Sequence, residues 1–233
     1  MKKIGVIILS RYNSSRLPGK ALKKINEKEI LTYIIERLLQ VFDKKDIVLA
    51  TSDELTDEPI VNYANENKIN YYRGSLNNVA ERFYMAAMEN NFDYAIRING
   101  DNLFLDINLL EELKQKTLVE DYDFISNVKG RTYPKGMSIE IIRVKYFANW
   151  LNEIQKEEKY REHVTLFFYD NFLKGKKYFK INSELKEVAG IQLALDTQED
   201  FDRSQELINN FITPHWNYNL KEIYNILKKT NYV

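Results

Sequence analysis

Ile4-Gly5-Val6-Ile7-Ile8-Leu9-Ser10-Arg11-Tyr12-Asn13-Ser14-Ser15-Arg16-Leu17-Pro18-Gly19-Lys20 is the stretch that decides how this chain folds. Residues 4–9 are a short, uninterrupted, largely β-branched run, which predicts a central strand of a parallel sheet covered on both faces. Met1-Lys2-Lys3 ahead of it gives the look of a secretory signal. The run is too short for one, no small-residue cleavage site follows, and Arg11 interrupts it. The loop after the strand carries three cations, three serine hydroxyls and a Pro-Gly turn. Backbone N–H groups and hydroxyls in such a loop can solvate a triphosphate while Arg11, Arg16 and Lys20 balance its charge. Its glycine spacing fits neither a Walker loop nor the dinucleotide fingerprint, and by composition alone a basic surface loop is the simpler reading.

Working outward, strand and helix patterns alternate. An amphipathic helix is expected over 29–42, a buried strand at 47–50, a helix at 57–67 with Pro59 early in it, and a strand at 69–72. A helix over 77–90 leads to a strand at 93–98 that breaks at Asn99-Gly100-Asp101, followed by a helix near 106–118 and a strand near 122–128. This rhythm predicts a three-layer α/β domain. Beyond it the pattern changes: a loop at 129–136, a strand at 138–144, helices near 145–156 and 160–172, and short strands near 177–182 and 191–195. Helices at 198–210 and 218–229 close the chain. The expectation is one domain over 1–233 with an embellishment at about 129–190.

Composition narrows the chemistry. Thirty-four Lys+Arg against 34 Asp+Glu leave no net charge, so the electrostatic surplus of a general nucleic-acid binder is missing. There is no cysteine and there are two histidines, which excludes disulfides, thiolate nucleophiles and sulfur- or histidine-rich metal sites. Any metal must sit on oxygen ligands, which favours Mg²⁺. No stretch reaches the roughly 18 apolar residues of a membrane span, and the absence of cysteine fits a reducing cytoplasm.

Glycine is scarce, and Gly19, Gly74, Gly100, Gly130 and Gly136 each fall past an expected strand or in a long loop, where open α/β sheets bind ligands. Asp101 and Asp196, far apart in sequence, both stand at expected strand ends, where two hard carboxylates would suit Mg²⁺ beside an anion-binding loop. Asp196 also reads as a helix N-cap, since Asp196 or Thr197 precedes the helix at 198–210. Arg73 can donate to the acceptor edge of a ligand, or sit as a solvated surface arginine. Asn99, with both a donor and an acceptor, can contact a polar ligand. Arg161 and His163, with Lys135 and Arg131 from the glycine loop, can bind an acidic group, although Arg161-Glu162-His163 equally reads as a charged helix turn. Glu140 can hold sugar hydroxyls or simply occupy a polar strand face. His215, after Pro214, reads as a loop histidine. Val164-Thr165-Leu166-Phe167-Phe168-Tyr169 is too apolar for a free surface and predicts core burial or a dimer face.

Taken in order, Ser10 to Lys20 resembles the A-R-x-x-S-x-R-L-P-G-K signature of the cytidylyltransferases that make CMP-activated acid sugars, with Ser10 in place of the alanine. That family includes the 3-deoxy-manno-octulosonate and acylneuraminate cytidylyltransferases and the spore coat polysaccharide biosynthesis protein F type. Ala50-Thr51-Ser52-Asp53, Arg73-Gly74-Ser75, Asn99-Gly100-Asp101, Arg161-Glu162-His163-Val164 and Leu195-Asp196-Thr197-Gln198-Glu199-Asp200 follow in the family's order, so the resemblance covers nearly the whole chain. The spore-coat type is the closer match, through Tyr133-Pro134-Lys135-Gly136 and Arg161-Glu162-His163-Val164-Thr165.

The resemblance implies a Rossmann-like three-layer α/β/α nucleotidyltransferase with a mainly parallel sheet and a small inserted element for dimerisation and acceptor binding. It implies transfer of CMP from CTP to a hydroxyl of a sugar or sugar acid, with Mg²⁺, for surface polysaccharide or glycoconjugate synthesis. A homodimer is expected. Catalytic roles fall on Arg11, Lys20 and Asp101, nucleotide binding on Ser10, Arg11, Ser14, Arg16, Lys20, Arg73 and Asn99, and the metal on Asp101 and Asp196. Acceptor binding falls on Lys135, Glu140, Arg161 and His163. A nucleotidyltransferase for another NTP or a non-sugar acceptor, and a non-catalytic nucleotide-binding homologue, stand as alternatives.

Overall fold

The computed structural model describes residues 2–230 and 232. β1 (Ile4–Leu9) is buried along all six residues, as an apolar run without alternation requires. A hairpin of β2 (Lys24–Ile25) and β3 (Lys28–Glu29) turns through Asn26 and Glu27, both at positive φ, and feeds α1 (Ile30–Leu38). β4 (Ile47–Ser52), α2 (Glu58–Glu66), β5 (Asn70–Gly74), α3 (Val79–Glu89), β6 (Tyr94–Asn99) and α4 (Ile107–Val119) then alternate. β7 (Phe124–Ser126) and β8 (Glu140–Arg143) are followed by four short helices: α5 (Val144–Ala148), α6 (Leu151–Ile154), α7 (Glu158–Glu162) and α8 (Leu166–Asp170). β9 (Lys177–Phe179), α9 (Gln198–Asn209) and α10 (Leu220–Lys229) complete the order.

Seven strands form one sheet in the order β5-β4-β1-β6-β8-β7-β9. β8 alone runs antiparallel to its neighbours, so the sheet is mainly parallel. Strand alternation divides the core. Val6 and Ile8 pack with residues of α1, α4, α9 and α10, whereas Ile7 and Leu9 pack with α3 and the short helices α5–α8. This is the three-layer α/β/α arrangement. Among the described residues no helix is long and apolar enough to cross a membrane.

Four local expectations change. The helices at 145–156 and 160–172 each break in two, the second at His163-Val164-Thr165, where Thr165 turns its hydroxyl onto Glu140. The strand near 122–128 stops at Ser126 because the Asn127 side chain takes over the ladder, accepting from Ile139 N–H and donating to Met137 C=O at 2.8 Å each. The strand near 191–195 shrinks to a single bridge between Lys135 and Gln192. His215 is not a solvated loop residue: it is 7% exposed, with Nε2 2.7 Å from Glu36 Oε2, beside the buried Arg37. Arg37 in turn donates to three carbonyls, of Leu105, His215 and Tyr218. The aromatic stretch 164–169 enters the core, with Phe167 and Phe168 buried among Phe124, Tyr146 and Phe147.

Candidate active site

A cleft of about 780 Å³ opens at the carboxyl ends of β1 and β6, where an open α/β sheet places its ligands. The loop from Ser10 to Lys20 forms one wall. Its start is fixed by the sheet, with Ser10 N–H bonded to Ala50 C=O at 3.1 Å. Its return is fixed by Gly19, at φ 69°, whose N–H reaches Tyr12 C=O at 2.8 Å. A Cβ at Gly19 would meet the Tyr12 ring.

Asp57 ties this loop down from below. Its carboxylate accepts from Tyr12 N–H (2.7 Å), Thr51 Oγ1 (2.9 Å) and both the N–H and hydroxyl of Ser52. Burial alone would raise its pKa, but these donors outweigh burial and hold it below the usual carboxylate value. Asp57 plays no part in the sequence reading. The polar cluster Thr51-Ser52 at the end of an apolar strand is the signal that something buried must satisfy it.

Asp101 and Asp196 converge. Lys20 Nζ lies 2.9 Å from Asp101 Oδ2, 3.1 Å from Asp196 Oδ1 and 2.8 Å from Leu195 C=O. Leu195 N–H bonds back to Asp101 C=O at 3.2 Å, which fastens the two segments by backbone as well. Arg16 Nη2 also reaches Asp196 at 3.1 Å. The helix-cap alternative for Asp196 falls to its neighbour: Thr197 caps α9 in a capping box with Asp200, leaving the Asp196 carboxylate to face the cleft. Among the described residues no third carboxylate or imidazole joins the pair as a metal ligand. Two hard oxygen donors with room for phosphate and water fit Mg²⁺, which keeps most of its shell outside the protein.

The other expected residues divide. Ser10, Arg11, Ser14 and Asn99 line the cleft on the loop and β6 side, and Arg161 and His163 line it from α7. Gly100 lets the two sides close, since a Cβ there would stand 2.7 Å from Ser10 Oγ. Arg73 lies outside the cleft lining: it pairs with Glu58 at 2.8 Å and donates to the carbonyls of Ser52 and Glu54. Lys135 is exposed, outside the lining, on the bridge to Gln192. Glu140 is 2% exposed, beneath the cleft rather than in it, with both oxygens engaged by Arg97, Thr165 and Tyr169. Arg82 and Arg97, absent from the sequence reading, both line the cleft. Arg82 is 3% exposed, and burial, with the Arg11 charge adding to it, lowers its pKa to about 10, so it stays protonated at neutral pH. The signal for both was an arginine set among apolar residues of a strand or helix.

Together these groups form a cationic loop in contact with two convergent carboxylates at the mouth of the cleft. The cytidylyltransferase family's sequence profile matches residues 5–229. An uncharacterized protein of Methanocaldococcus jannaschii is 34% identical over 212 residues, 91% of this chain and 85% of that protein. Spore coat polysaccharide biosynthesis protein SpsF of Bacillus subtilis is 31% identical over 217 residues, 89% of this chain and 87% of SpsF. A solved structure of a cytidylyltransferase from Leptospira borgpetersenii serovar Hardjo-bovis superposes with a TM-score of 0.91 at 27% identity, covering 100% of this chain and 96% of that one. A profile match over nearly the whole length, joined by relatives above 30% identity across most of the chain, places this protein in the cytidylyltransferase family, among the nucleotidyltransferases.

Proposed function

We propose that this protein transfers CMP from CTP to a hydroxyl of a sugar or sugar acid and releases pyrophosphate, in the synthesis of a surface polysaccharide or glycoconjugate. The observation that carries the reading is the meeting of Asp101 and Asp196 on Lys20, across the cleft wall formed by the loop after β1. The family match supports the nucleotide, and the name of the SpsF relative supports the polysaccharide context.

Arg11, Arg16 and Lys20 gather the β- and γ-phosphates and stabilise the departing pyrophosphate. The acceptor oxygen forms its bond to the α-phosphorus while the bond from that phosphorus to the bridging oxygen breaks. The electron pair leaves with pyrophosphate and the hydroxyl proton passes to solvent. Such chemistry depends on positioning and charge neutralisation more than on covalent help. Asp101 and Asp196 are the residues that would hold Mg²⁺, which supplies charge neutralisation and acidifies the attacking hydroxyl. Ser10 and Asn99, at the ends of the paired β1 and β6, orient the nucleoside.

Asp101→Asn tests the assignment. The variant keeps its fold, judged by an unchanged circular dichroism spectrum, and loses pyrophosphate release from CTP by on the order of 10²–10³-fold. Native-like turnover in that variant removes the proposed role. CTP raises the melting temperature of the native chain more than ATP, GTP or UTP does, and equal shifts from all four would point to another nucleotide specificity.

A further inference from the structure

Gly74 C=O accepts from Asp53 N–H at 3.0 Å, and this bond sets the direction of the backbone groups along β5. Alternation turns those of Asn70 and Tyr72 inward to β4 with Gly74, and the N–H and C=O of Tyr71 and Arg73 outward. β5 closes one end of the sheet, and among the described residues its strand partner is β4 alone. Tyr71 and Arg73 therefore present their donors and acceptors along an open edge.

The two edges of the sheet are not alike. β9, at the other end, is three residues long, with Lys177 in it and Lys176 and Lys180 beside it. Short, lysine-bearing edges keep another strand from adding. β5 is five residues long and has neither lysine nor proline. Its one cation does not guard the edge, because Arg73 is bound by Glu58 and by the carbonyls of Ser52 and Glu54. Leu55 and Tyr71 stand exposed beside it, at 86% and 41%. An open edge flanked by apolar surface is a place where another chain adds.

The spacing of the outward groups selects the partner. Two copies of β5 pair antiparallel about Tyr72, with Tyr71 of each opposite Arg73 of the other. Such a pair exchanges both of its hydrogen bonds, so no outward group of the strand is left over. Neighbouring registers fail. Centring on Tyr71 would set Arg73 against Ile69, whose N–H is already spent on Ala64 C=O at 2.9 Å. Centring on Arg73 would set Tyr71 against Ser75, whose C=O is already taken by Arg82 at 3.1 Å. Side chains agree with the surviving register. Arg73 Nη2 is bonded to Glu54 C=O, one residue before Leu55, so Tyr71 of one copy lands on the guanidinium and on Leu55 of the other. The two exposed apolar residues then cover each other, and a cation–π contact is made twice by symmetry.

We propose that β5 is a dimer interface, at which two copies of this chain join their edges antiparallel about Tyr72 and continue one sheet into the next. The homodimer forms on this edge and not on the inserted element. Because the joined strands run in opposite directions, the two clefts open at opposite ends of the shared sheet.

Sedimentation equilibrium of the full chain tests this. The native chain is a dimer at roughly micromolar concentration. Tyr71→Pro removes an outward N–H and Tyr71→Lys places a charge on the edge, and each weakens the dimer by about tenfold or more with an unchanged circular dichroism spectrum. Should the proline variant fail to fold, the lysine variant decides. The chain has no cysteine, so Tyr72→Cys supplies a lone thiol. The register sets it opposite its own copy at a Cα separation of about 4.5 Å, within disulfide reach. Oxidation by copper phenanthroline links that variant into a covalent dimer and leaves Tyr178→Cys, in β9, unlinked. A monomeric native chain overturns the proposal. So does a dimer that the folded Tyr71 variants leave intact, or a Tyr72→Cys chain that does not cross-link.

Discussion

Lys20 and Asp101 are joined at 2.9 Å although 81 residues separate them, and the same ammonium reaches Asp196 at 3.1 Å. In the free protein the two carboxylates thus share a cation that belongs to the chain itself. All three side chains are largely shielded, at 14%, 19% and 23% exposure, so the attraction is less screened than at a surface. On the proposed function, a triphosphate would offer Lys20 a competing partner and release the aspartates. Lys20→Met is therefore expected to bind Mn²⁺ without nucleotide about tenfold more tightly than the native chain, read by electron paramagnetic resonance. The same variant loses turnover by on the order of 10²–10³-fold. Equal Mn²⁺ affinities in the two free proteins would show that Lys20 does not guard the site.

The loop from Ser10 to Lys20 depends on Asp57. Asn at that position can accept through one oxygen only and turns an amide N–H₂ toward the donors of Thr51 and Ser52. Asp57→Asn is expected to lower stability by about 2–4 kcal/mol in urea denaturation and to raise the KM for CTP. The folded pKa of Asp57 is depressed, so its contribution is present above the unfolded value of about 3.9 and is lost as pH falls through the folded one. Below about pH 3.9 the native chain should lose stability faster than the variant. Parallel acid-unfolding curves would rule out Asp57 as the anchor.

How much of this was legible from sequence follows the range of the interaction. β1 and the loop behind it could be read because every determinant lies within a few residues: a β-branched run, then hydroxyls, cations and a Pro-Gly turn. Asp101 and Asp196 could be paired as candidates because each follows a strand-like run. Asp101 does stand just past β6, but the run before Asp196 forms no strand of the sheet and is fastened to Asp101 by Leu195 N–H instead. For Arg73, nothing local shows that Glu58, at the start of α2, pairs with it at 2.8 Å outside the cleft lining. Glu140 was assigned to substrate because nothing local shows that Arg97, Thr165 and Tyr169 close over its carboxylate and leave it 2% exposed. Arg97 passed unnoticed because Tyr94-Ala95-Ile96-Arg97-Ile98 reads as a strand with one blemish. Its meaning needs the β8 register, which is set by the non-local pairing of antiparallel β8.

His215 makes a pH-dependent contribution outside the cleft. Burial, with the neighbouring Arg37 charge, lowers its pKa from 6.5 to about 4 despite the bond to Glu36. Between those two values the unfolded chain takes up a proton that the folded chain refuses. Stability therefore rises with pH from about 4 to 6.5 and is level in this group above that. The span corresponds to about 3–4 kcal/mol. In urea denaturation followed across that range, the native chain should gain stability while His215→Asn stays flatter, and a slope shared by both would assign the effect to other groups.

Gly136 offers the sharpest separation of fold from chemistry. It adopts φ 92°, and a Cβ there would lie 2.5 Å from Ala194 N and 2.6 Å from Leu193 C. These are backbone atoms and cannot swing aside. Lys135, one residue earlier, exchanges hydrogen bonds of 2.9 Å with Ile191 and Leu193, so the contact holds the segment that ends in Asp196. Gly136→Ala must push residues 193–194 away, adding the strain of a left-handed alanine to the clash. The expected cost is about 2–4 kcal/mol, and the displaced Asp196 should move out of reach of Lys20. At a temperature where the variant is still folded, its KM for Mg²⁺ in the CTP reaction should rise while its affinity for CTP alone changes little. A variant destabilised to this extent but with a native Mg²⁺ dependence would mean that Asp196 is placed by α9 alone and owes nothing to the glycine loop.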